Sequence, residues 1–186
     1  MTAQRGQGAD RTGRAANGSG RSWRGGGEEL HGALKIRLAQ QNDAEAIRNV
    51  TRAAYAKWVP LIGREPKPMG VDYQSALQQH RFDLLYLDDI LAGLIETVDE
   101  EDQLLIENVA VLPEFQGQGL GSKLMAHAEE IAAALGHDRI RLYTNKRFAE
   151  NVTLYLRLGY RVDREDDVGG ETVRVDMSKS LVRRSR

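Results

Sequence analysis

The sequence contains no cysteine, only four prolines and no apolar run long enough to span a membrane. The absence of cysteine excludes disulfides, thiolate metal sites and a cysteine nucleophile. A membrane-spanning helix needs roughly 18 or more consecutive apolar residues, and the first residues lack the apolar core of a signal peptide. These absences predict a soluble, cytoplasmic protein that is not associated with a membrane.

The chain also lacks a charge excess of either sign. Its 26 basic and 27 acidic residues give a formal net charge of −1, so the composition gives no reason to expect nucleic acid as the main partner. A length of 186 residues suits one domain with an overhang.

The overhang is predicted at the start of the chain. Residues 1–27 contain five arginines, one aspartate and eight glycines, and Trp23 is their only aromatic residue. Such a segment buries too little apolar surface to offset its ordering entropy. We therefore predict a disordered Gly/Arg-rich tail over residues 1–30 and one domain over residues 34–182. The alternative function for the tail is a basic arm that binds RNA or an acidic partner.

Hydrophobic periodicity predicts an element order of β-α-α-β-β-β-α-β-α-β-β. Consecutive and alternating strands together indicate an α/β protein with a mixed sheet and helices on both faces. The helix over 120–135 should bury the stripe of Leu120, Leu124, Ala128, Ile131 and Leu135. The other predicted helices are 43–58, 71–80 and 149–158, and the strands are 34–38, 82–87, 90–98, 104–112, 139–144, 160–163 and 172–178.

The most informative segment is residues 109–121, which read V-A-V-L-P-E-F-Q-G-Q-G-L-G. A strand meets a proline and a glycine-rich turn, and an amphipathic helix follows. The backbone N–H groups of the first helical turn have no intrahelical partner, and the helix dipole adds partial positive charge there. Glycines let an anion approach the backbone closely. The segment therefore predicts a diphosphate site.

Two other glycine motifs do not fit these residues. A dinucleotide fingerprint requires a glycine where Ser122 stands and an acidic residue at the end of the next strand, which is missing. A Walker A loop requires lysine directly after glycine, whereas Ser122 separates Gly121 from Lys123.

The segment instead resembles the acetyl-CoA loop of the GNAT superfamily of N-acetyltransferases, with the motif [QR]-x-x-G-x-[GA]. Gln116, Gly119 and Gly121 fill the three specified positions. Residues 155–160, Y-L-R-L-G-Y, are similar to a second segment of that family, Y-x-x-x-G-[FY]. The resemblance covers residues 34–181. It implies the GNAT fold, with a mixed, mostly antiparallel sheet of about seven strands, and direct transfer of acetyl from acetyl-CoA to an amine.

The resemblance also implies which residues hold acetyl-CoA. The backbone of the motif strand would pair with the pantetheine arm, and the N–H groups of the glycine loop would hold the diphosphate. Phe148 stands where many relatives have an asparagine, so Asn151, or else Asn145, is the expected substitute. The alternative is that the glycines form an ordinary tight turn. The predicted contacts are Val109, Ala110, Val111, Gln116, Gly117, Gln118, Gly119, Leu120, Gly121, Ser122 and Asn151.

Two side chains are candidates for catalysis. Tyr155 occupies the family's usual general-acid position, and a phenol with a pKa near 10 is protonated at neutral pH. Strand alternation puts Glu107 on the face of Leu105, Val109 and Val111, where apolar neighbours make a carboxylate more basic. It is the candidate base, directly or through water. The alternatives are that Tyr155 is a core residue and that Glu107 is a carboxylate exposed to water at the end of its strand.

The remaining ionisable residues suggest no metal site. His31, His80, His127 and His137 lack metal-ligand spacing, and we expect all four on the surface. The acidic run 99–102 is expected to form a solvated turn.

The acceptor is predicted to bind around residues 55–73, the connection between the first two helices. The expected acceptor is a small-molecule or peptide amine. Many members of the family are dimers, so the resemblance also makes a homodimer possible. A non-catalytic acyl-CoA-binding regulatory module is the alternative to an enzyme, and a nucleic-acid-associated protein acting through its tail is a weaker third. The candidate acceptor contacts are Trp58, Arg64, Met69, Asp72 and Tyr73.

Overall fold

A computed structural model describes residues 32–170 and 172–181. The predicted tail over residues 1–30, and with it His31, lies outside the described residues. Within them, no helix has the length and apolar content needed to cross a bilayer.

Seven strands form one sheet in the order β1-β2-β3-β4-β5-β7-β6. Only the β4–β5 pair is parallel, and the other pairs are antiparallel. The predicted mixed, mostly antiparallel α/β sheet is therefore confirmed. The strands are β1 (Leu34–Leu38), β2 (Arg81–Leu87), β3 (Ile90–Asp99), β4 (Leu104–Val111), β5 (Arg139–Asn145), β6 (Arg161–Asp167) and β7 (Val173–Ser180).

The described residues contain five α-helical segments. The third begins two residues later than predicted, because Asp72 caps it by accepting from Gln74 N–H at 3.1 Å, and it ends at Ala76 instead of at His80. The predicted break after Trp58 contains one helical turn, whose first positions accommodate Pro60. The helices are α1 (Ala44–Tyr55), α2 (Val59–Ile62), α3 (Tyr73–Ala76), α4 (Leu120–Leu135) and α5 (Ala149–Arg157).

Each face of the sheet carries its own apolar core. One core joins α4 and α5 to the sheet through Leu124, Ala128 and Tyr155, and the other joins α1 and α3 through Ile47 and Tyr73. The predicted stripe on α4 is wrong only at Leu135, which is 50% exposed because it is the last residue of the helix. The central sheet therefore lies between two packed layers, and its strands lead from there to the candidate site described below.

Candidate active site

The sheet splits between β4 and β5. Their parallel pairing ends at Ile106 and Leu142, three residues before Val109. Beyond that point β4 continues to pair with β3 as far as Val111. The edge of β4 that faces β5 therefore presents backbone groups without a neighbouring strand, which is the arrangement that an extended ligand needs to add to a sheet.

A β-bulge at Glu107 sets which way the β4 side chains point. Glu96 pairs with Asn108 and Thr97 pairs with Ile106, so Glu107 has no partner on β3. Ile106 before the bulge and Val109 after it both belong to the core under α4. The predicted shared face of Glu107, Val109 and Val111 is therefore wrong, because the extra residue reverses the alternation.

A groove runs from this split to the start of α4. Its lining includes the predicted cofactor residues Val109, Val111, Gln116, Gly117, Gly119, Leu120, Gly121, Ser122 and Asn151. The side chains of the two remaining predicted residues point elsewhere. Ala110 is buried in the core on the α1 face, and Gln118 donates to the Glu114 carbonyl at 2.9 Å.

Gln116 ties the glycine loop to the end of β4. Its Nε2 donates to the Val111 carbonyl at 2.8 Å, and its Oε1 accepts from Lys57 Nζ at 3.0 Å. The loop is thereby held at the split, directly before the N-terminus of α4. This contact gives the first specified position of the motif a structural role in shaping the groove.

The loop glycines are required by backbone conformation. Gly117 has φ +78° and Gly119 has φ +80°, and a Cβ at either position would meet no atom within 4 Å. The left-handed region disfavours any side chain there, although space is free. These turns direct the unpaired N–H groups of α4 into the groove, so the residues present fit a diphosphate.

Replacing Gly119 by alanine is expected to weaken acetyl-CoA binding about tenfold. The left-handed conformation costs an L-residue roughly 1–2 kcal/mol, so the loop relaxes away from the geometry that presents its N–H groups. Isothermal titration with acetyl-CoA measures the effect. Gly136→Ala is the matched control, since Gly136 has φ +88° in open space at the far end of α4. It should reduce thermal stability and leave the affinity unchanged. Equal affinities of the two variants would contradict a binding role for the loop.

A second cavity of about 290 Å³ lies on the other side of the split. Tyr55, Val109, Asn151 and Tyr155 line both this cavity and the groove. The two spaces therefore meet at Tyr155, where a donor in the groove and an acceptor in the cavity would come together. We call this second space the acceptor cavity.

Tyr155 projects from α5 into this junction and is 8% exposed. Burial raises the pKa of its hydroxyl to about 12, so the phenol keeps its proton throughout the neutral range. The ring also packs with Tyr160 at 6.2 Å between centroids. The residue is thus both a member of the core and a lining residue of the junction.

Glu107 lies in the acceptor cavity, where it accepts a short hydrogen bond from the Tyr143 hydroxyl. Burial, followed by this hydrogen bond, raises the pKa of Tyr143. Tyr143 therefore remains a donor and fixes the orientation of the Glu107 carboxylate.

Sequence reasoning missed a second carboxylate in the cavity, Glu96. It is 4% exposed on β3, and its Oε1 lies 2.6 Å from Nδ1 of His80. Burial is the main cause that raises the pKa of Glu96, and the negative charge of Glu107 raises it further. The sequence signal that could have identified Glu96 is its position as the single acidic residue inside the apolar run 90–98.

The predicted acceptor region 55–73 does contribute to the cavity, but most of the side chains singled out in it do not. Trp58 stacks on Phe148 at 4.5 Å, Met69 and Tyr73 are buried, and Asp72 caps α3. Of the five candidates, Arg64 lines the cavity. The other lining residues from this region are Tyr55, Ile62, Pro66, Lys67, Pro68 and Val71.

The predicted surface positions of the histidines are also wrong in the described part of the chain. His80, His127 and His137 are half-buried and lie 2.6 to 3.2 Å from Glu96, Asp83 and Asp99, respectively. His127 faces its carboxylate because α4 packs against the sheet, whereas His80 and His137 lie in the connections that follow α3 and α4. In the turn predicted to be solvated, Asp99 and Glu100 form ion pairs with His137 and Arg141. Among the described residues, no cluster of three or more acidic or histidine side chains has metal-binding geometry.

Comparison with known proteins places these features in a family. The model of the Acetyltransferase (GNAT) family matches residues 44–160, which is more than half of the chain. An aminoalkylphosphonate N-acetyltransferase of Salmonella typhimurium (strain LT2) is 41% identical over 56 residues. That match covers 30% of this chain and about a third (36%) of the relative's length.

Two solved structures show the same fold. The PaiA N-acetyltransferase of Thermoplasma acidophilum, in complex with coenzyme A, superposes with a TM-score of 0.67 at 19% identity, covering 80% of this chain and 99% of that one. The ribosomal-protein-S18-alanine N-acetyltransferase of Escherichia coli gives 0.66 at 19% identity, covering 80% and 94%. The family model and the fold agree with the glycine loop and the split sheet, and this chain belongs to the GNAT family of acetyltransferases.

Proposed function

We propose that the protein is an N-acetyltransferase that moves acetyl from acetyl-CoA directly to a primary amine on a small molecule or peptide. The observation that carries this proposal is the meeting of the glycine-loop groove with the acceptor cavity at Tyr155. A donor and an acceptor bound in the two spaces would come together at one position, which direct transfer requires.

The groove residues are suited to hold acetyl-CoA. The N–H groups at the start of α4 bind the diphosphate, and the free edge of β4 at Val109 and Val111 pairs with the amide groups of the pantetheine arm. Asn151 adds a side-chain amide at the junction. The cosubstrate supplies an acetyl group activated as a thioester.

Glu107 is the proposed base. An amine reaches the cavity as an ammonium and must lose a proton before its lone pair can attack. The Glu107 carboxylate, oriented by Tyr143, accepts that proton directly or through water. The nitrogen then bonds to the thioester carbon to give a tetrahedral intermediate.

Tyr155 is the proposed acid. When the intermediate collapses, the carbon–sulfur bond breaks and its electron pair leaves on sulfur. The Tyr155 hydroxyl, which burial keeps protonated, donates to this thiolate and regains a proton from the amide nitrogen that is formed. The products are the acetylated amine, free CoA and one proton.

The relatives support this assignment to different degrees. The Salmonella protein is described as acetylating aminoalkylphosphonates, and the Thermoplasma structure contains coenzyme A. The E. coli structure belongs to an enzyme that acetylates the alanine of a ribosomal protein. Amine acetylation is therefore common to them, while their acceptors range from small molecules to a protein.

The test is a broad panel of amines with acetyl-CoA, in which release of free thiol is followed. We expect turnover above the rate of hydrolysis with at least one class of amine, and mass spectrometry should find the acetyl group on nitrogen. Tight CoA binding without turnover of any amine would overturn the enzyme assignment and favour a non-catalytic acyl-CoA-binding module.

A further inference from the structure

The charged side chains around the acceptor cavity are separated by sign. The carboxylates of Glu96 and Glu107 come from the central strands β3 and β4. The arginine and lysine side chains come from other segments, the loop between α2 and α3 and the strand β7, which lies between β5 and β6. The acidic and basic side chains that line the cavity are Arg64, Lys67, His80, Glu96, Glu107 and Arg174.

The inner end of the cavity is suited to an ammonium group. Glu96 is almost fully buried, and its recorded polar partner is His80. Glu107 is held by the neutral hydroxyl of Tyr143. No lysine or arginine among the described residues pairs with either carboxylate within ion-pair distance. A cationic ligand group would therefore relieve the mutual repulsion of two poorly solvated acids.

The outer end carries two cations that have no ion-pair partner among the described residues. Arg64 and Lys67 are exposed, and neither forms an ion pair with any described carboxylate. The Arg64 guanidinium donates to Thr172 Oγ1 at 3.4 Å. Arg52, by contrast, is paired with Glu65 at 2.7 Å. The two unpaired cations, Arg64 and Lys67, are therefore the ones that line the cavity.

Tyr143 lies between the inner carboxylates and a third cation, Arg174. Its hydroxyl donates to Glu107, and the Arg174 guanidinium lies over its ring, 4.2 Å from the centroid. Arg174 also pairs with Asp176 at 2.7 Å, which neutralises its charge. Arg174 is therefore less suited than Arg64 and Lys67 to binding an anionic ligand group.

We propose that the acceptor is a small zwitterionic amine, whose amino group lies at Glu96 and Glu107 and whose anionic group, a carboxylate or phosphonate, is held by Arg64 and Lys67. The proposal rests on the proposed acetyltransferase function and names its substrate class. A planar guanidinium suits both anions, because it donates two parallel hydrogen bonds. An amine without a second charged group would contact only the inner end of the cavity. A diamine would place its second positive charge beside Arg64 and Lys67.

The test compares amines that differ only in the group opposite the amino end. Methyl, carboxylate, phosphonate and aminomethyl groups are placed on linkers of two to four carbons, and kcat and KM are measured for each. We expect kcat/KM for the better acidic series to exceed that for the methyl series by about tenfold or more, since hydrogen bonds to charged groups are worth that much. The aminomethyl series should be the poorest. The carboxylate and phosphonate arms identify which anion is preferred.

Variants show whether the loop cations cause the preference. In the double variant Arg64→Glu, Lys67→Glu, the acidic series should lose its advantage through a raised KM, and the methyl series should keep its kcat. The double variant Lys35→Glu, Arg48→Glu is the charge-matched control, because both side chains are exposed and line neither the cavity nor the groove.

Two results would overturn the proposal while leaving acetyl transfer intact. One is a higher kcat/KM of the unmodified protein for amines without an acidic group, for diamines or for peptides. The other is a preference for the acidic amines that persists in the double variant Arg64→Glu, Lys67→Glu. Failure of the proposed function would look different, because no amine of any class would be acetylated.

Discussion

Replacing Tyr155 by phenylalanine is expected to lower kcat by about 10²- to 10⁴-fold, the usual contribution of a positioned general acid. The phenylalanine ring preserves the packing of this residue against Tyr160 and removes only the proton donor. The affinity for acetyl-CoA should change little, because the proposed diphosphate and pantetheine contacts come mainly from backbone groups elsewhere in the groove. Steady-state kinetics, combined with titration of acetyl-CoA, separates the two effects.

The size of the defect should depend on the leaving group. A thioester whose thiol is more acidic needs less protonation as it departs, so it should recover part of the lost rate in the variant. Tyr86→Phe is the control, since the Tyr86 hydroxyl accepts from Arg37 at 2.8 Å and lies outside both cavities. An unaltered kcat in Tyr155→Phe would remove this residue from the mechanism and leave it as part of the core.

The second large effect is expected for Glu107→Gln, in which kcat/KM at neutral pH should fall by about 10²- to 10⁴-fold. Glutamine has the same shape and keeps an oxygen that accepts from Tyr143, so the bulge and its hydrogen bond are preserved. Only the capacity to take a proton is lost. Raising the pH should restore part of the rate, because a growing fraction of the amine is then already deprotonated.

Glu96 provides an internal comparison for this prediction. Removing the charge of Glu107 should lower the pKa of Glu96, since like charges in proximity favour the protonated form. NMR titration of the carboxyl carbons measures that shift. If Glu96→Gln abolishes turnover and Glu107→Gln does not, the base is Glu96. The exposed Glu101, which lines neither cavity, supplies the control substitution Glu101→Gln.

Local sequence was sufficient for most of the fold and for the donor groove. The bounds of α4 were predicted to the residue, because its apolar spacing is regular and glycines precede and follow it. The loop glycines were identified because their spacing in consecutive residues resembles the family motif, and the structure adds that Gly117 and Gly119 adopt left-handed conformations. Short polar segments were less well predicted. β6 is longer than expected, because pairing with β7 stabilises a charged stretch that has no apolar alternation.

The predicted region 55–73 contributes to the lining of the acceptor cavity, but residues from distant segments were missed, because they meet it only through tertiary structure. Arg64, Glu96 and Arg174 are far apart in sequence and belong to a loop and to the strands β3 and β7. Trp58 and Tyr73 have the aromatic character of pocket residues but are used for packing. Side-chain type alone does not distinguish these two uses.

The sequence by itself determined the family of this protein and located its candidate donor site, since the glycine loop and the following helix are encoded in consecutive residues. Tertiary structure alone decided which acids line the acceptor cavity. The bulge at Glu107 reverses the face of half of β4, and the β3–β4 pairing brings Glu96 into the same cavity. The physical reason is that side-chain direction in a sheet depends on register, and one unpaired residue changes it for every residue that follows.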